Sequence, residues 1–173
     1  MPKRNVVVDD DLELVSEFIV CFMKHVPGTS VIGPPDLLLD LRDIREKSAD
    51  AGAIILDLKM GGSGTYGRAI LKNIRSVLKR SDIPVVIWSK YLSDTVLFEP
   101  GGIIRMDTES DVRLTDIDNA GLAALADFSL IKDLRNIYSG VRAFVTKAVP
   151  EPVLLMMQVL HRSGVIRPAP LKF

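Results

Sequence analysis

Four short apolar runs, rich in β-branched residues, each stop at or beside a polar residue that is capable of chemistry. Runs of this kind form strands that are buried on both faces of a parallel sheet. The residues at their carboxyl ends are Asp9 and Asp10, then Asp57, Ser89 and Lys147. Because the carboxyl ends of parallel strands lie along one edge of an open sheet, we expect these side chains to converge there.

The segments between the runs have apolar residues at every third or fourth position, which is the period of a helix packed along one face. Such segments begin near Leu12, Leu37, Ile70 and Val153, and a further strand is expected over residues 29–33. Strands that alternate with helices predict a doubly wound α/β domain, with helices on both faces of a parallel sheet in three α/β/α layers. At 173 residues, the chain is expected to form a single domain, residues 1–173.

One region is too long for this pattern. The stretch from Lys90 to Gly140 has 51 residues, whereas a crossover between parallel strands needs about a dozen or somewhat more. We expect an insertion at about 91–120, formed as a hairpin or an irregular loop, followed by one helix before the fifth strand. A short polar tail is expected at 163–173.

Composition argues against several classes of protein. Lys plus Arg and Asp plus Glu both number 22, so no positive excess favours binding to nucleic acid or to an anionic membrane. The chain has one cysteine, Cys21, and two histidines. These residues are too few for an intramolecular disulfide framework or a Cys/His zinc site, which favours a reducing, cytoplasmic setting. The apolar residues 6–8 are followed by three aspartates, so we expect neither a signal peptide nor a membrane-spanning helix.

The expected cluster at the sheet edge suits phosphoryl chemistry. Three neighbouring carboxylates repel one another unless a cation is present, and an all-oxygen set of ligands suits Mg²⁺. With its charge partly neutralised, one aspartate can attack phosphorus and become an aspartyl phosphate. Lys147 would then pair with the phosphoryl oxygens, and the Ser89 hydroxyl would donate to another of them. Asp11 is expected to cap the first helix instead.

The motifs VVVDDD, IILDLKM, VVIWS and AFVTK resemble those of the CheY-like receiver domain of two-component response regulators. The resemblance covers roughly residues 4–90 and 141–162. It implies a flavodoxin-like, five-stranded parallel sheet of strand order 2-1-3-4-5. It also implies that Asp9 and Asp10 are the acid pair that binds Mg²⁺ with Asp57, the phosphoacceptor, and with the backbone carbonyl of Lys59.

The same resemblance implies that Ser89 is the switch hydroxyl, that Lys147 is the conserved lysine, and that Phe144 is the aromatic rotamer switch. A histidine kinase or a phosphotransfer protein would supply the phosphoryl group. A downstream protein, or a second copy of the chain in a homodimer, would contact the face formed by the last helix, the fifth strand and the preceding helix. Such a protein is not an enzyme beyond its own phosphorylation and dephosphorylation.

The sequence departs from the family pattern at the predicted site. Lys90 follows the switch hydroxyl, where the family has a small residue that controls access to the phosphorylation pocket. Lys59 adds a second cation two residues after Asp57, and Ala148 stands where a proline usually follows the lysine. A long cation at the mouth of the pocket hinders water, so we predict slow self-dephosphorylation.

Two other interpretations stay open at this stage. In the first, a haloacid-dehalogenase-like phosphatase, Asp9 is the nucleophile and Asp11 the general acid, but the only acid after Lys147 is Glu151 and Asp57 has no role. In the second, the chain is a receiver-like scaffold that is never phosphorylated and acts through its surface.

Overall fold

The computed structural model describes residues 4–58, 66–106, 111–114 and 119–166 of the chain. This part contains eight strands and six helices. In chain order they are β1 (Asn5–Val8), α1 (Leu12–His25), β2 (Val31–Ile32), α2 (Leu41–Ser48), β3 (Ala53–Leu56), α3 (Tyr66–Ser76), β4 (Val85–Ser89), β5 (Thr95–Glu99), β6 (Gly102–Met106), β7 (Asp111–Leu114), α4 (Asn119–Ala123), α5 (Phe128–Ile137), β8 (Val141–Thr146) and α6 (Pro152–Arg162).

The strands form one mixed sheet in the order β2-β1-β3-β4-β8-β5-β6-β7. Neighbours among the first five strands of this order are parallel, and β5, β6 and β7 continue the sheet in antiparallel pairing. The prediction of five parallel strands was therefore wrong in strand number, in the all-parallel character and in the order of the whole sheet. The α/β class agrees with the prediction, and so does the parallel pairing among β2, β1, β3, β4 and β8.

The three additional strands come from the predicted insertion. β5 and β6 are joined by a tight turn at Pro100 and Gly101, and β5 pairs with β8 so that Val96 lies opposite Phe144. Without β5, strand β8 would be the edge of the parallel sheet and would expose a row of unpaired backbone groups. Strand β5 pairs with the backbone groups along that edge. Because this pairing joins segments that are distant in the chain, a short-range sequence pattern does not reveal it.

Two apolar cores lie on opposite faces of the sheet and give the predicted three layers. On one face, α1 and α6 pack around buried rings that include Phe18, Phe22 and Trp88. On the other face, α2, α3, α4 and α5 pack over the sheet. Because the central strands are covered on both faces, their residues read as unbroken apolar runs, and chemistry is left to the residues at their ends.

The single helix expected after the insertion is instead the pair α4 and α5. Asp127 occupies the N-cap of α5, but its carboxylate accepts the backbone amides of Ser93 and Asp94 at 2.8 and 3.0 Å. The Asp94 carboxylate in turn accepts the amide of Ala126 at 2.9 Å. These reciprocal bonds tie the turn between β4 and β5 to the start of α5, and the helical path is broken at that point.

Candidate functional site

The predicted acidic residues meet at the carboxyl edge of the sheet. Asp9 follows β1 and Asp57 follows β3, and the two strands are paired with Val8 opposite Leu56. One carboxylate oxygen from each of Asp9, Asp10 and Asp57 lies within 4.8 Å of the others. Asp9 and Asp57 are buried, whereas Asp10 is exposed. Two paired strands thus bring together carboxylates that are 48 positions apart in the chain.

Asp9 and Asp11 have different tasks at the start of α1. The amide of Asp11 donates to Oδ1 of Asp9 at 2.9 Å, which helps to fix the Asp9 carboxylate. The Asp11 side chain accepts the amide of Leu14 at 3.2 Å and so caps the helix. Helix capping therefore accounts for Asp11, and it leaves Asp9 and Asp10 to the acidic cluster.

Lys147 provides the positive charge of the site. Its Nζ atom lies 2.7 Å from Oδ2 of Asp9 and 3.4 Å from Oδ2 of Asp57. Burial raises the pKa of Asp9 from 3.8 to about 6, although the Lys147 ammonium opposes this rise. The Asp57 carboxylate adds a smaller upward contribution to the pKa of Asp9. Ionisation of Asp9 is therefore unfavourable because of desolvation, and an added cation near the carboxylate would stabilise the ionised form.

Ser89 lies at the end of β4, beside the end of β8. Its carbonyl accepts the amide of Lys147 at 3.0 Å, and its buried hydroxyl accepts the amide of Tyr91 at 3.2 Å. Lys90 is exposed, with its Nζ atom 5.4 Å from the centre of the Tyr91 ring. The residue after the predicted switch hydroxyl is thus a long cation at the surface, next to the buried serine.

Phe144 is fully buried in β8. Its ring packs edge-on against Phe98 of β5, with 6.0 Å between ring centres, and the guanidinium carbon of Arg135 lies 3.8 Å from the centre of the Phe98 ring. A residue of the insertion therefore lies beside the predicted aromatic switch. The carbonyl of Lys59, predicted as a metal ligand, lies outside the described residues.

Thr146 belongs to the motif AFVTK, but no role is predicted for it from the sequence. This threonine lies between the predicted switch residue and the predicted lysine, and its hydroxyl bonds to Leu92 in the turn after β4 and to Ala148 after the lysine. The only signal in the sequence is a hydroxyl next to a predicted site residue, which does not by itself indicate a partner.

The donor set suits a magnesium ion. Three carboxylates with oxygens within 4.8 Å of one another match the preference of Mg²⁺ for hard oxygen ligands. Two of these carboxylates are buried, and they share one ammonium group in the structure. Asp9, Asp10 and Asp57 would hold the ion, leaving Lys147 for an anionic group.

These observations define a doubly wound α/β protein with an acidic cluster and one lysine at the carboxyl edge of its sheet. No protein-family model and no curated protein matches the sequence. Within the described residues, no helix combines the length and the apolar character that crossing a bilayer requires.

Two solved structures resemble the fold. Chemotaxis protein CheY4 from Vibrio cholerae is 15% identical with a TM-score of 0.53, and the match covers 94% of this chain and 99% of CheY4. NtrX from Brucella abortus is 15% identical with a TM-score of 0.52, over 95% of this chain but only 28% of NtrX. The chain therefore has the CheY-like receiver fold of response regulators.

Proposed function

We propose that the protein is a response-regulator receiver that accepts a phosphoryl group on Asp57 in a magnesium-dependent reaction. The observation that carries this proposal is the position of the Lys147 ammonium between the buried carboxylates of Asp9 and Asp57. The carboxylates of Asp9, Asp10 and Asp57 and the ammonium of Lys147 lie close together at the sheet edge, which supports roles for them as an acidic pair, a phosphoacceptor and a cation.

In the proposed reaction, a carboxylate oxygen of Asp57 attacks the phosphorus of a phosphohistidine. The phosphorus–nitrogen bond breaks, and the imidazole leaves with the bonding electron pair and takes up a proton. Asp9, Asp10 and Asp57 would hold a Mg²⁺ ion, which would supply positive charge that favours transfer of the phosphoryl group. Lys147 pairs with one phosphoryl oxygen, and the Ser89 hydroxyl, whose oxygen accepts the amide of Tyr91, donates a hydrogen bond to another.

The donor is a histidine kinase or a phosphotransfer protein, and the signal passes to a downstream protein by contact. Helix α1 begins beside the acidic cluster and exposes apolar side chains along its length. Leu12, Val20 and Met23 are 57, 69 and 60% exposed, so a donor that reaches Asp57 has an apolar surface to bind next to it. We place this exchange in the cytoplasm, without nucleic acid or membrane as a partner.

The role of Asp11 favours this function over a phosphatase of the haloacid-dehalogenase type. Such an enzyme would need Asp11 as its general acid, but the Asp11 carboxylate accepts the amide of Leu14 at the start of α1. The phosphatase would also leave Asp57 without a role, although Asp57 is buried within reach of Lys147.

Incubation with acetyl phosphate, with and without Mg²⁺, tests the proposal by intact-mass measurement. We expect one phosphoryl adduct per chain that requires Mg²⁺ and is lost in Asp57→Ala. Asp43→Ala is the control, because Asp43 is an acid of α2 that pairs with Lys47 away from the site, and it should label like the wild type. Turnover of an unrelated phosphate ester would favour the phosphatase, and no labelling at all would favour the unphosphorylated scaffold.

Lys90 is expected to slow the loss of the phosphoryl group. We predict that Lys90→Ala accelerates hydrolysis of phosphorylated Asp57 by about tenfold, which corresponds to about 1.4 kcal/mol of activation free energy. Lys132→Ala is a matched control, since Lys132 also lies over an aromatic ring, Phe128, at 5.6 Å, but on α5. A wild-type half-life of seconds, or equal acceleration in both variants, would contradict the prediction.

A further inference from the structure

Thr146 ends β8 immediately before Lys147 and is buried, with 6% of its surface exposed. Its hydroxyl donates to the carbonyl of Leu92 at 2.7 Å and accepts the amide of Ala148 at 3.0 Å. Its own amide donates to the hydroxyl of Thr95 at 3.1 Å. One buried side chain therefore connects the residues on both sides of Lys147 to the turn that follows β4.

The contacts of Thr146 fix the backbone from which Lys147 extends. Leu92 is 2% exposed and anchors the turn after Ser89 in the apolar core, so the carbonyl that accepts the threonine hydroxyl has a defined position. The amide of Lys147 is held separately by the carbonyl of Ser89. The bond from the amide of Ala148 also depends on residue type, because a proline at this position would have no N–H to donate.

Thr95 extends this support to the insertion. It is the first residue of β5 and is 2% exposed. Its hydroxyl accepts the Thr146 amide just beyond the point where β5 and β8 pair through Val96 and Phe144. The strand that the insertion adds to the sheet thus reaches the loop that carries the site lysine.

We propose that Thr146 is a positioning residue for Lys147, and that Thr95 of the insertion holds Thr146 in place. The inference rests on the proposed function, in which Lys147 must meet a phosphoryl oxygen on Asp57. The ammonium lies 2.7 Å from Asp9 and 3.4 Å from Asp57, and such distances change when the supporting loop moves. The insertion is then part of the support of the site as well as an addition to the sheet.

The test compares Thr146→Val, which keeps the shape and loses the hydroxyl, with Thr146→Ser, which keeps the hydroxyl. Asp57 labelling by acetyl phosphate is followed over a range of donor concentrations. We expect Thr146→Val to lower the maximal labelling rate by about tenfold, because a small displacement of a catalytic group is costly. We expect the half-saturating donor concentration to stay unchanged, and Thr146→Ser to restore most of the rate. Thr95→Val should lower the rate in the same direction by a smaller factor.

The same threonine variant in a Lys147→Ala background separates positioning from a general structural effect. If Thr146 acts through Lys147, Thr146→Val should cause no further loss of rate once Lys147 is removed. A loss of the same size in both backgrounds would overturn the proposal. So would a Thr146→Val protein that labels at the wild-type rate.

Hydrogen exchange at the amides of Lys147 and Ala148 gives a readout that does not need phosphorylation. We expect faster exchange at both amides in Thr146→Val and wild-type exchange in Thr146→Ser. If the wild-type protein takes up no phosphoryl group, the proposed function is wrong, and exchange alone then decides whether Thr146 holds the lysine loop. Unchanged exchange in Thr146→Val would overturn the positioning role whatever the labelling result.

Discussion

Replacing Phe144 with alanine is expected to lower the free energy of unfolding by about 3–5 kcal/mol, the range for removing a buried aromatic ring. Phe144 has no exposed surface, and its ring packs edge-on against Phe98. The substitution removes this aromatic contact and leaves a cavity between β8, β5 and the helices on that face. Urea unfolding followed by circular dichroism measures the loss.

Tyr91→Ala is the control for this prediction, because Tyr91 is an aromatic residue of which half is exposed. Its substitution should change the free energy of unfolding by about 0.5 kcal/mol or less, as is usual for surface positions. A similarly small loss for Phe144→Ala would show that the ring is not packed in solution as it is in the structure.

The packing of Phe144 bears on the proposed role of this residue as an aromatic switch. Phe98 of β5 packs against this ring, and the guanidinium carbon of Arg135 lies 3.8 Å from the centre of the Phe98 ring. Strand β5 also occupies the edge of β8, so neither a partner nor a second copy can pair with that edge while β5 is in place. If Phe144 acts as the proposed switch, its movement towards β5 would displace Phe98 and Arg135, so we expect the insertion and α5 to respond.

The part of the fold that could be predicted from the sequence is the part that local pattern determines. The runs that end at Asp9, Asp57, Ser89 and Lys147 are strands in the structure, because a strand covered on both faces must be apolar throughout and its polar residues must follow it. The rule that parallel strands end at one edge was then enough to expect the acidic residues together.

The remainder depends on contacts between distant segments. The residues of β5 have the β-branched and aromatic side chains of a strand, but nothing local tells which edge it joins, and the pairing with β8 spans more than 40 positions. The break between α4 and α5 coincides with bonds to the β4–β5 turn. There the Asp127 carboxylate accepts the amide of Asp94, and the Asp94 carboxylate accepts the amide of Ala126. The bonds of Thr146 to Leu92 and Thr95 are equally non-local.

In metal-free buffer, the wild-type protein is expected to lose up to about 3 kcal/mol of stability as the pH rises from 4 to 7, relative to Asp9→Asn. Burial raises the pKa of Asp9 to about 6 in the folded protein, from an ordinary value of 3.8. Between these two values the folded state binds more protons than the unfolded state. The free energy of unfolding therefore falls as the pH rises through this window, and it levels off once both states are ionised.

Asp9→Asn keeps the side-chain shape and removes the ionisable group, so the difference between the two pH profiles isolates this carboxylate. Denaturant unfolding at several pH values in the presence of a chelator measures both profiles. The absolute stability of the variant also reflects the lost ion pair with Lys147, which is why the prediction concerns only the change with pH. Superimposable profiles would show that burial does not raise the pKa of Asp9 in solution.

Magnesium should reverse this loss, because the ion binds the ionised carboxylates and competes with the proton. At a concentration one hundred times its dissociation constant, a ligand of the folded state adds about 2.7 kcal/mol of stability. We expect this gain in the wild type at pH 7.5, a smaller gain at pH 5, and little gain in Asp9→Asn or Asp57→Asn.

Asp11→Asn should keep the full gain, because Asp11 caps α1 and an asparagine caps a helix equally well. An equal gain in Asp9→Asn and the wild type would mean that the cation binds elsewhere on the protein.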